Sequence, residues 1–417
     1  MPLVSTVKMR FGLMFCFTVT PATAFFMSKP LFILFLLIFF SLYLVFNPFY
    51  IKLNSNVKEE QIDSTVTVSF SFVGDIMCHS TQYNYAKVKK DSFDFNPVFS
   101  VIKNYLKEKD ILIGNLETVL AGNSKTYSGY PYFNSPNELA DALKNVGFDF
   151  LTTANNHVND QGYDGVERTI KYLKSINIVP LGTKIKSDSS EVFNIFVRKG
   201  IRFGLLSYTF GTNYKENSYR VIEYVSIIDT NKIREDLQRL KNNSCDIIIV
   251  YFHFGDEYQS KVSAYQEMIV NKTINYGADF ILGSHPHIIQ QFEKFKSKNQ
   301  KLDSGFVVYS LGNFISNQRW RHSDGGIIFN FYVTKNIFTD SLSLSKVTYL
   351  PIWVFKGKTE KGKEYIILPA NYYDNYNLFN FMSKVDRDSM KQSFFHTKKL
   401  LTTKSNFPQL DSLINLN

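Results

Sequence analysis

Five of the chain's seven histidines, His79, His157, His253, His285 and His287, fall in short polar motifs, and each motif follows an apolar run of strand length. "VTVSFSFV" runs into "GDIMCHS", "FDFLTTA" into "NNHVNDQG", "DIIIVYF" into "HFGDEY", and "ADFIL" into "GSHPH". Neutral imidazole is a ligand for zinc, iron and manganese, and it is also an acid–base group near neutral pH. Taken singly, each histidine fits a structural role; together they point to metal.

Carboxylates and amides accompany them. Asp75 stands four residues before His79, and Gly74 allows a tight exit from the strand. Glu117 in "GNLET" follows "ILI", as a ligand or as a helix N-terminal acid. Asn156 offers an amide oxygen beside His157, a candidate acid or base. Asn155 either caps this turn or supports it from behind. In "GSHPH", Pro286 restricts the backbone of both neighbours. The two imidazoles so placed serve one metal or bridge two. Asp256 and Glu257 are candidates to orient a ligand histidine, or else solvated loop charges. Asn313 in "LGNF" and Arg319 and Arg321 in "NQRWRHSDGG" are candidate contacts for an anionic substrate. Asp75, Glu117, Asn156 and the histidines together give roughly seven or eight ligands, whereas one catalytic zinc takes about three. That number fits two divalent ions (Mn, Fe or Zn) about 4 Å apart, an arrangement suited to displacement at phosphorus.

Short apolar runs rich in Val and Ile suit strands buried on both faces. Helical patterns fall between them. "SPNELADALKNVG" has Ser135 as N-cap, Pro136 at the first helical position and Gly147 as the stop. "DGVERTIKYLKS" puts Val166, Ile170 and Leu173 on one face. Two further helices are expected in "DTNKIREDLQRL" and "SKVSAYQEMIVNKTINYG". Alternating strands and helices predict an α/β domain whose ligands gather outside the carboxyl ends of the strands.

The chain has 417 residues, 44% of them hydrophobic and 16% aromatic, enough for a substantial core. Cys16, Cys78 and Cys245 form no disulfide framework. The net charge of +10 reads first as a solvated basic surface and second as attraction to a polyanion or an anionic membrane surface; no zinc finger or RNP-like motif points to nucleic acid. Residues 31–50, "LFILFLLIFFSLYLVFNPFY", approach the length of a membrane span. Lys8, Arg10 and Lys29 precede the span and place residues 1–30 in the cytoplasm, with the rest outside. The upstream "VKMRFGLMFCFTVTPATA" is signal-peptide-like, but a single signal anchor is the simpler reading, with Met27 an alternative start. The expected organisation is an anchor at 31–50, a stalk at 51–65, a domain at 66–355 and a partly helical C-terminal appendage at 356–417.

In the strings "GDIMCHSTQ", "NLET", "NNHVNDQGYDG", "HFGDEY", "GADFILGSHPHIIQ" and "YSLGNF", the chain resembles the CapA-type poly-γ-glutamate capsule synthesis family. That family lies within the calcineurin-like metallophosphoesterase superfamily. The resemblance covers roughly residues 66–330 and implies a four-layer α/β/β/α sandwich with a dinuclear centre. It implies that Asp75, His79 and His287 bind one metal and that Glu117 bridges. It further implies that Asn156, His253 and His285 bind the second metal and that His157 protonates the leaving group. Compared with ordinary phosphoesterases, the Asp-x-His opening is stretched to Asp75–His79, and Glu117 replaces the bridging aspartate.

Three functions follow as expectations. The first is a single-pass cell-membrane protein, its metal-dependent hydrolase-like domain outside, that serves synthesis or export of an anionic capsule polymer with polymerase or exporter subunits. The second is a general extracytoplasmic phosphohydrolase. The third is a non-catalytic scaffold for a membrane polymerase.

Overall fold

The structure is a computed structural model that describes residues 64–188, 194–213, 218–320, 322–404, 409 and 410. Leu34, Leu37, Ile38 and Ser41 are also described, all in a helix in which Ser41 Oγ donates to the Leu37 carbonyl at 2.8 Å. The expected anchor at 31–50 otherwise lies outside the described residues, as do residues 1–30 and almost all of the stalk. Among the described residues, no helix is long and apolar enough to cross a membrane. The chain divides into two compact units, Met1–Asp63 and Ser64–Asn417.

The second unit runs, in chain order, through β1 (Thr65–Ile76), α1 (Ser80–Ala86), β2 (Lys87–Lys89), β3 (Ser92–Phe93), α2 (Asn96–Phe99) and α3 (Lys103–Lys107). It continues with β4 (Ile111–Leu116), α4 (Glu138–Val146), β5 (Phe150–Thr152), α5 (Gly162–Ser175), β6 (Val179–Leu181), β7 (Asn194–Arg198) and β8 (Ile201–Thr209). Then come α6 (Ser218–Val221), α7 (Thr230–Asn242), β9 (Ile247–His253), α8 (Ala264–Tyr276), β10 (Phe280–Ser284), β11 (Phe292–Lys296) and β12 (Ser304–Val308). The last elements are β13 (Asn313–Ile315), β14 (Gly325–Asn336), β15 (Leu342–Thr359), β16 (Gly362–Pro369), α9 (Lys384–Lys404) and β17 (Gln409–Leu410).

Two mixed sheets carry the fold. One has the order β16-β15-β14-β1-β4-β5-β6, with β13 beside β1 and β17 beside β15; the other is β11-β12-β10-β9-β8-β7. Strands β1, β4, β5 and β6 are parallel, as are β8, β9, β10 and β12. Alternation along each strand divides the core into layers. Phe70, Ile113, Ile249 and Phe280 face a cluster shared by both sheets. Val73 and Leu112 face helices α2 and α4, while Ile248 and Val250 face α7 and α8. The order is therefore helices, sheet, sheet, helices, and strands covered on both faces explain the nearly unbroken apolar runs.

An aspartate immediately before four parallel strands fixes their register. Asp110, Asp149, Asp246 and Asp279 accept the backbone N–H of Ser69, Leu112, Arg202 and Ile248 on the neighbouring strand, each at 2.9 Å. Strands aligned at their amino ends deliver their carboxyl ends to one edge. Two glycines allow close approach there. A Cβ on Gly74 would lie 1.8 Å from the Gly312 carbonyl oxygen, and one on Gly283 would lie 2.1 Å from that of Tyr309.

Two expected boundaries move. The limit near residue 355 falls inside β15, and the sheet continues through β16, because Trp353, Phe355, Ile366 and Leu368 bury their outer faces under Met390 and Phe394 of α9. The appendage is thus the final sheet strands and their covering helix. Helix α4 begins at Glu138 behind Asn137; the Ser135 hydroxyl is taken by Thr118 Oγ1 at 2.6 Å and does not cap it. Gly147 ends the helix with φ 112°, as a left-handed stop requires.

Phe331 on β14 packs against Phe70 and Phe72 of its own sheet (ring centroids 4.7 and 5.8 Å) and against Phe280 and Phe306 of the other (4.8 and 5.0 Å). Phe331→Ala is expected to cost about 3–5 kcal/mol, read as a lowered midpoint in urea unfolding.

Candidate metal centre

The parallel registers set Asp75, Asn115 and Thr152 side by side in one sheet, and Thr209, His253 and Ser284 side by side in the other. Glu117 follows β4, Asn155–His157 follow β5, and His285 and His287 follow β10. His285 and His287 both take left-handed backbone angles, φ 102° and 57°, on either side of Pro286. Such angles are costly for residues other than glycine and are held by their surroundings.

Three groups of ligand atoms converge, each with its members within 4.8 Å of one another: Asp75, Glu117 and His287; Glu117, His253 and His285; and Glu257, His285 and His287. Glu117 is common to the first two. Its Oε1 lies 3.7 Å from His253 Nε2 and 3.8 Å from His287 Nε2, and it is buried without a hydrogen-bond partner. His285 Nδ1 is likewise buried and unpartnered. Asn156 Oδ1 sits 2.8 Å from His253 Nε2, so amide oxygen, imidazole and carboxylate face one region. Buried ligand atoms of these types without partners suit divalent metal, and the residues fit the kind of ion that the sequence implies.

Hydrogen bonds behind the ligands set their tautomers. His287 Nδ1 faces two acceptors, Asp75 Oδ2 at 3.0 Å and Asn313 Oδ1 at 3.2 Å. It therefore carries the proton, and Nε2 keeps the lone pair. Gln82 Nε2 donates to the Met77 carbonyl, which turns Oε1 toward the His79 backbone N–H (2.8 Å) and Nδ1 (3.1 Å). The same Nδ1 also lies 3.4 Å from the Asn317 backbone N–H, so this ring nitrogen is enclosed by Gln82 and Asn317 while Nε2 is left without either partner. Asn115 links the parts: its Nδ2 reaches Asp75 Oδ1 at 2.8 Å, His253 Nδ1 at 3.2 Å and Glu117 Oε2 at 3.3 Å. Its Oδ1 accepts from Thr152 Oγ1 and Asn155 Nδ2.

Burial and mutual charge set the protonation states. Burial, with Asp75 nearby, lifts the Glu117 carboxyl well above its usual range. Burial would lift Asp75 as well, but His287, His253 and Asn115 outweigh it and hold that carboxyl below the usual range. Burial pushes His253 well down, His285 to about 3 and His79 to about 4, with neighbouring histidines adding to each shift. The imidazoles are thus neutral and ready to ligate.

His157 stands beside this centre. Its Nδ1 is 2.7 Å from Asp160 Oδ2, which also accepts the Phe133 N–H at 2.8 Å. Its Nε2 faces Asn213 Nδ2 at 3.4 Å. Asp160 is raised by burial despite the His157 contact.

The expected residues divide clearly. Asp75, Glu117, Asn156, His253, His285 and His287 come together; His79 is half-buried at the N-cap of α1 and belongs to none of the three groups. Asn155 does both things expected of it: its Oδ1 accepts the His157 backbone N–H at 3.1 Å and caps the turn, and its Nδ2 donates to Asn115 Oδ1 at 3.2 Å. Asn313 is fully buried, so it positions His287 and is not a substrate contact. Arg319 is exposed and lies 5.9 Å from the Tyr365 ring centroid, while Arg321 lies outside the described residues. His253 is bonded to Ser284 Oγ (3.0 Å), Asn115 and Asn156; Asp256 and Glu257 are both exposed, and of the two only Glu257 joins a ligand group, with His285 and His287. Sequence reasoning missed Asn115, Asp160, Gln82 and Asn213. Asp160 was the most readable, three residues after His157 on one turn. The other two histidines, His322 and His396, stack with centroids 3.5 Å apart and line a cavity of about 570 Å³ with Tyr258, Ile288 and Trp320.

Fold and site together define a two-sheet α/β protein with a histidine–carboxylate edge of metal-ligand type. The profile of the bacterial capsule synthesis protein PGA_cap matches residues 69–318, and the chain belongs to that family. It is similar to the capsule biosynthesis protein CapA of Bacillus anthracis, 28% identical over 282 residues that cover 64% of each chain. It is also similar to the PGA biosynthesis protein CapA of Bacillus subtilis, 25% identical over 80% of this chain and 84% of that one. The chain thus spans just under two thirds of the first relative's length. Solved structures with likeness include the calcineurin-like phosphoesterase YfkN of Bacillus subtilis (14% identical, TM-score 0.42, 80% of this chain and 97% of that one). Another is the NAD nucleotidase of Haemophilus influenzae (13%, 0.44, 83% and 64%).

Because Glu117 holds its proton above the usual carboxylate range, a cation must displace it. Mn²⁺ affinity should therefore rise with pH across the acidic-to-neutral range, with proton release on binding. Titration calorimetry in buffers of different ionisation enthalpy measures both. Asn115→Ala should weaken Mn²⁺ binding about 10–100-fold.

Proposed function

We propose that this chain is a membrane-anchored protein for synthesis or export of an anionic, poly-γ-glutamate-like capsule polymer, working through a dinuclear hydrolytic centre on the outer face of the cell membrane. The observation that carries the reading is the unpartnered Glu117 Oε1 between His253 Nε2 and His287 Nε2, shared by two ligand groups. Membership of the capsule synthesis family supports the polymer assignment. The apolar run at 31–50 and the basic residues before it support the anchor and its direction. The net charge of +10 favours an anionic polymer or phosphorylated substrate and its polymerase or exporter partners.

Asp75, Glu117, His287, Asn156, His253 and His285 would hold the ions, with His79 nearby on α1. Bound there, two divalent ions supply Lewis-acid stabilisation of a phosphoryl group and acidify the attacking water. The chain's own residues do the rest. Asp160 accepts from His157 Nδ1, so Nε2 is the nitrogen that exchanges a proton: the neutral ring accepts there from Asn213 Nδ2, and once protonated it would give that Nε2 proton to a leaving group. That nitrogen faces the Asn213 amide at the edge of the site, where a leaving oxygen would receive it. Phe133 packs edge-on to the His157 ring at 4.6 Å and limits its rotation. The metal identity follows from the donor set only as far as Mn, Fe or Zn.

The test is a panel of phosphoesters and acyl phosphates with the purified protein and each metal, beside capsule output in cells. His157→Ala should lower turnover about 10²–10⁴-fold while Mn²⁺ binding by calorimetry stays at the wild-type level. Turnover of small phosphoesters without any effect on polymer would favour a general phosphohydrolase. Intact polymer output from His157→Ala cells would favour a scaffold.

A further inference from the structure

The third ligand group contains a residue that none of the assignments above uses. Glu257 is exposed, whereas the atoms of its group belong to His285 and His287, both buried. It sits on the loop after β9, and the backbone of that loop is held firmly. Tyr258 N donates to the Pro286 carbonyl at 2.8 Å, and Gln290 Nε2 donates to the Gln259 carbonyl at 2.9 Å. Gln318 Nε2 holds the Tyr258 hydroxyl at 3.0 Å. The main chain next to Glu257 is therefore tied to the turn that carries the two imidazoles, and the Glu257 side chain is exposed to solvent beside them.

This group does not describe a third ion. His287 Nδ1 is committed as a donor to Asp75 and Asn313, so the ring has one lone pair to give, at Nε2, which already faces Glu117. A ring with one lone pair serves one ion. Glu257 therefore adds a carboxylate to positions that the buried ligands define, and it does so from the solvent side. His285, which shares this group, has a buried Nδ1 without a hydrogen-bond partner.

We infer that Glu257 is a displaceable ligand that closes the solvent face of the dinuclear centre and gives way to a phosphoryl oxygen when substrate binds. This rests on the dinuclear reading above. The chemistry is ligand exchange: one carboxylate oxygen leaves and one phosphate oxygen enters, with no change in oxidation state. Chain-end phosphates and free phosphate compete for the same position. The exchange makes the resting centre less open to free anions than a site with a permanent vacancy.

Calorimetry on the purified full chain tests it, first with Mn²⁺ alone and then with inorganic phosphate added to the Mn²⁺-loaded protein. Glu257→Gln should weaken one Mn²⁺ step about tenfold and tighten phosphate by a similar factor. Asp256→Asn, which removes an adjacent exposed charge, should leave both within about twofold. Unchanged Mn²⁺ affinity in Glu257→Gln overturns the inference. So does weaker Mn²⁺ binding without tighter phosphate, since Glu257 would then be a permanent ligand. Equal effects from Asp256→Asn overturn it as well, as general surface charge would account for them. If the wild-type protein binds no Mn²⁺, Zn²⁺ or Fe²⁺, the dinuclear reading itself fails; if it binds a pair and only the Glu257 effects are missing, that reading stands and this inference alone falls.

Discussion

A carboxyl oxygen enclosed in protein without a hydrogen bond is expensive to keep, on the order of a few kcal/mol when the group is neutral and more when it is ionised. Glu117 Oε1 is in this position, at the one edge where the carboxyl ends of both sheets meet. Its neighbours are arranged around the cost. Two imidazole nitrogens stand within 4 Å of it, and their opposite nitrogens are tied down behind, by Ser284 and Asn115 on one side and by Asp75 and Asn313 on the other. The constraint explains why so much polar structure is buried at this edge. Each side chain that faces Glu117 must itself be oriented, and each orienting group needs a partner in turn.

The chain solves this with few residues because the strands do the alignment. Aspartates at the strand starts lock neighbouring strands in register, and that lock carries along the sheet to the far end. Asn115 then sits between Asp75 and Thr152 in the same row, close enough to touch ligands from both sheets. Glycines 74 and 283 let two backbones pass where any side chain would collide. Precision at the centre thus begins with regular backbone pairing, which sets Asp75 and His253 on strands and launches the short segments that carry Glu117, Asn156, His285 and His287.

Much of this was readable in the sequence. Apolar runs ending in polar motifs specify parallel strands with their chemistry at one edge, because period and burial are properties of the strand itself. The ligand types were readable for the same reason. What the sequence hid were pairings that depend on distance across the fold. Nothing in "GNLET" distinguishes Asn115, whose amide reaches His253 across the sheet interface, from an ordinary turn residue. Asn313 looked like a surface contact because its motif is polar, yet β13 lies beside β1 and buries it. The boundary near 355 looked like a domain limit because the aromatic, basic composition of the tail changes there. In the fold those aromatics cover the last sheet strands. The aspartates before the strands, in "KDILI", "FDFL", "CDIII" and "ADFIL", were a legible repeat whose meaning appears only once the strands are seen side by side.

The ligands divide between the sheets: Asp75, Glu117 and Asn156 come from one, and His253, His285 and His287 from the other. A pair of ions bound among them would act as a clasp across the interface, beyond any role in turnover. Its binding free energy would then belong to the folded state alone, and by mass action it would add to the cohesion of the two sheets. Occupancy and folding would then become one equilibrium, so the supply of metal would set how much of the protein survives as well as how much of it works.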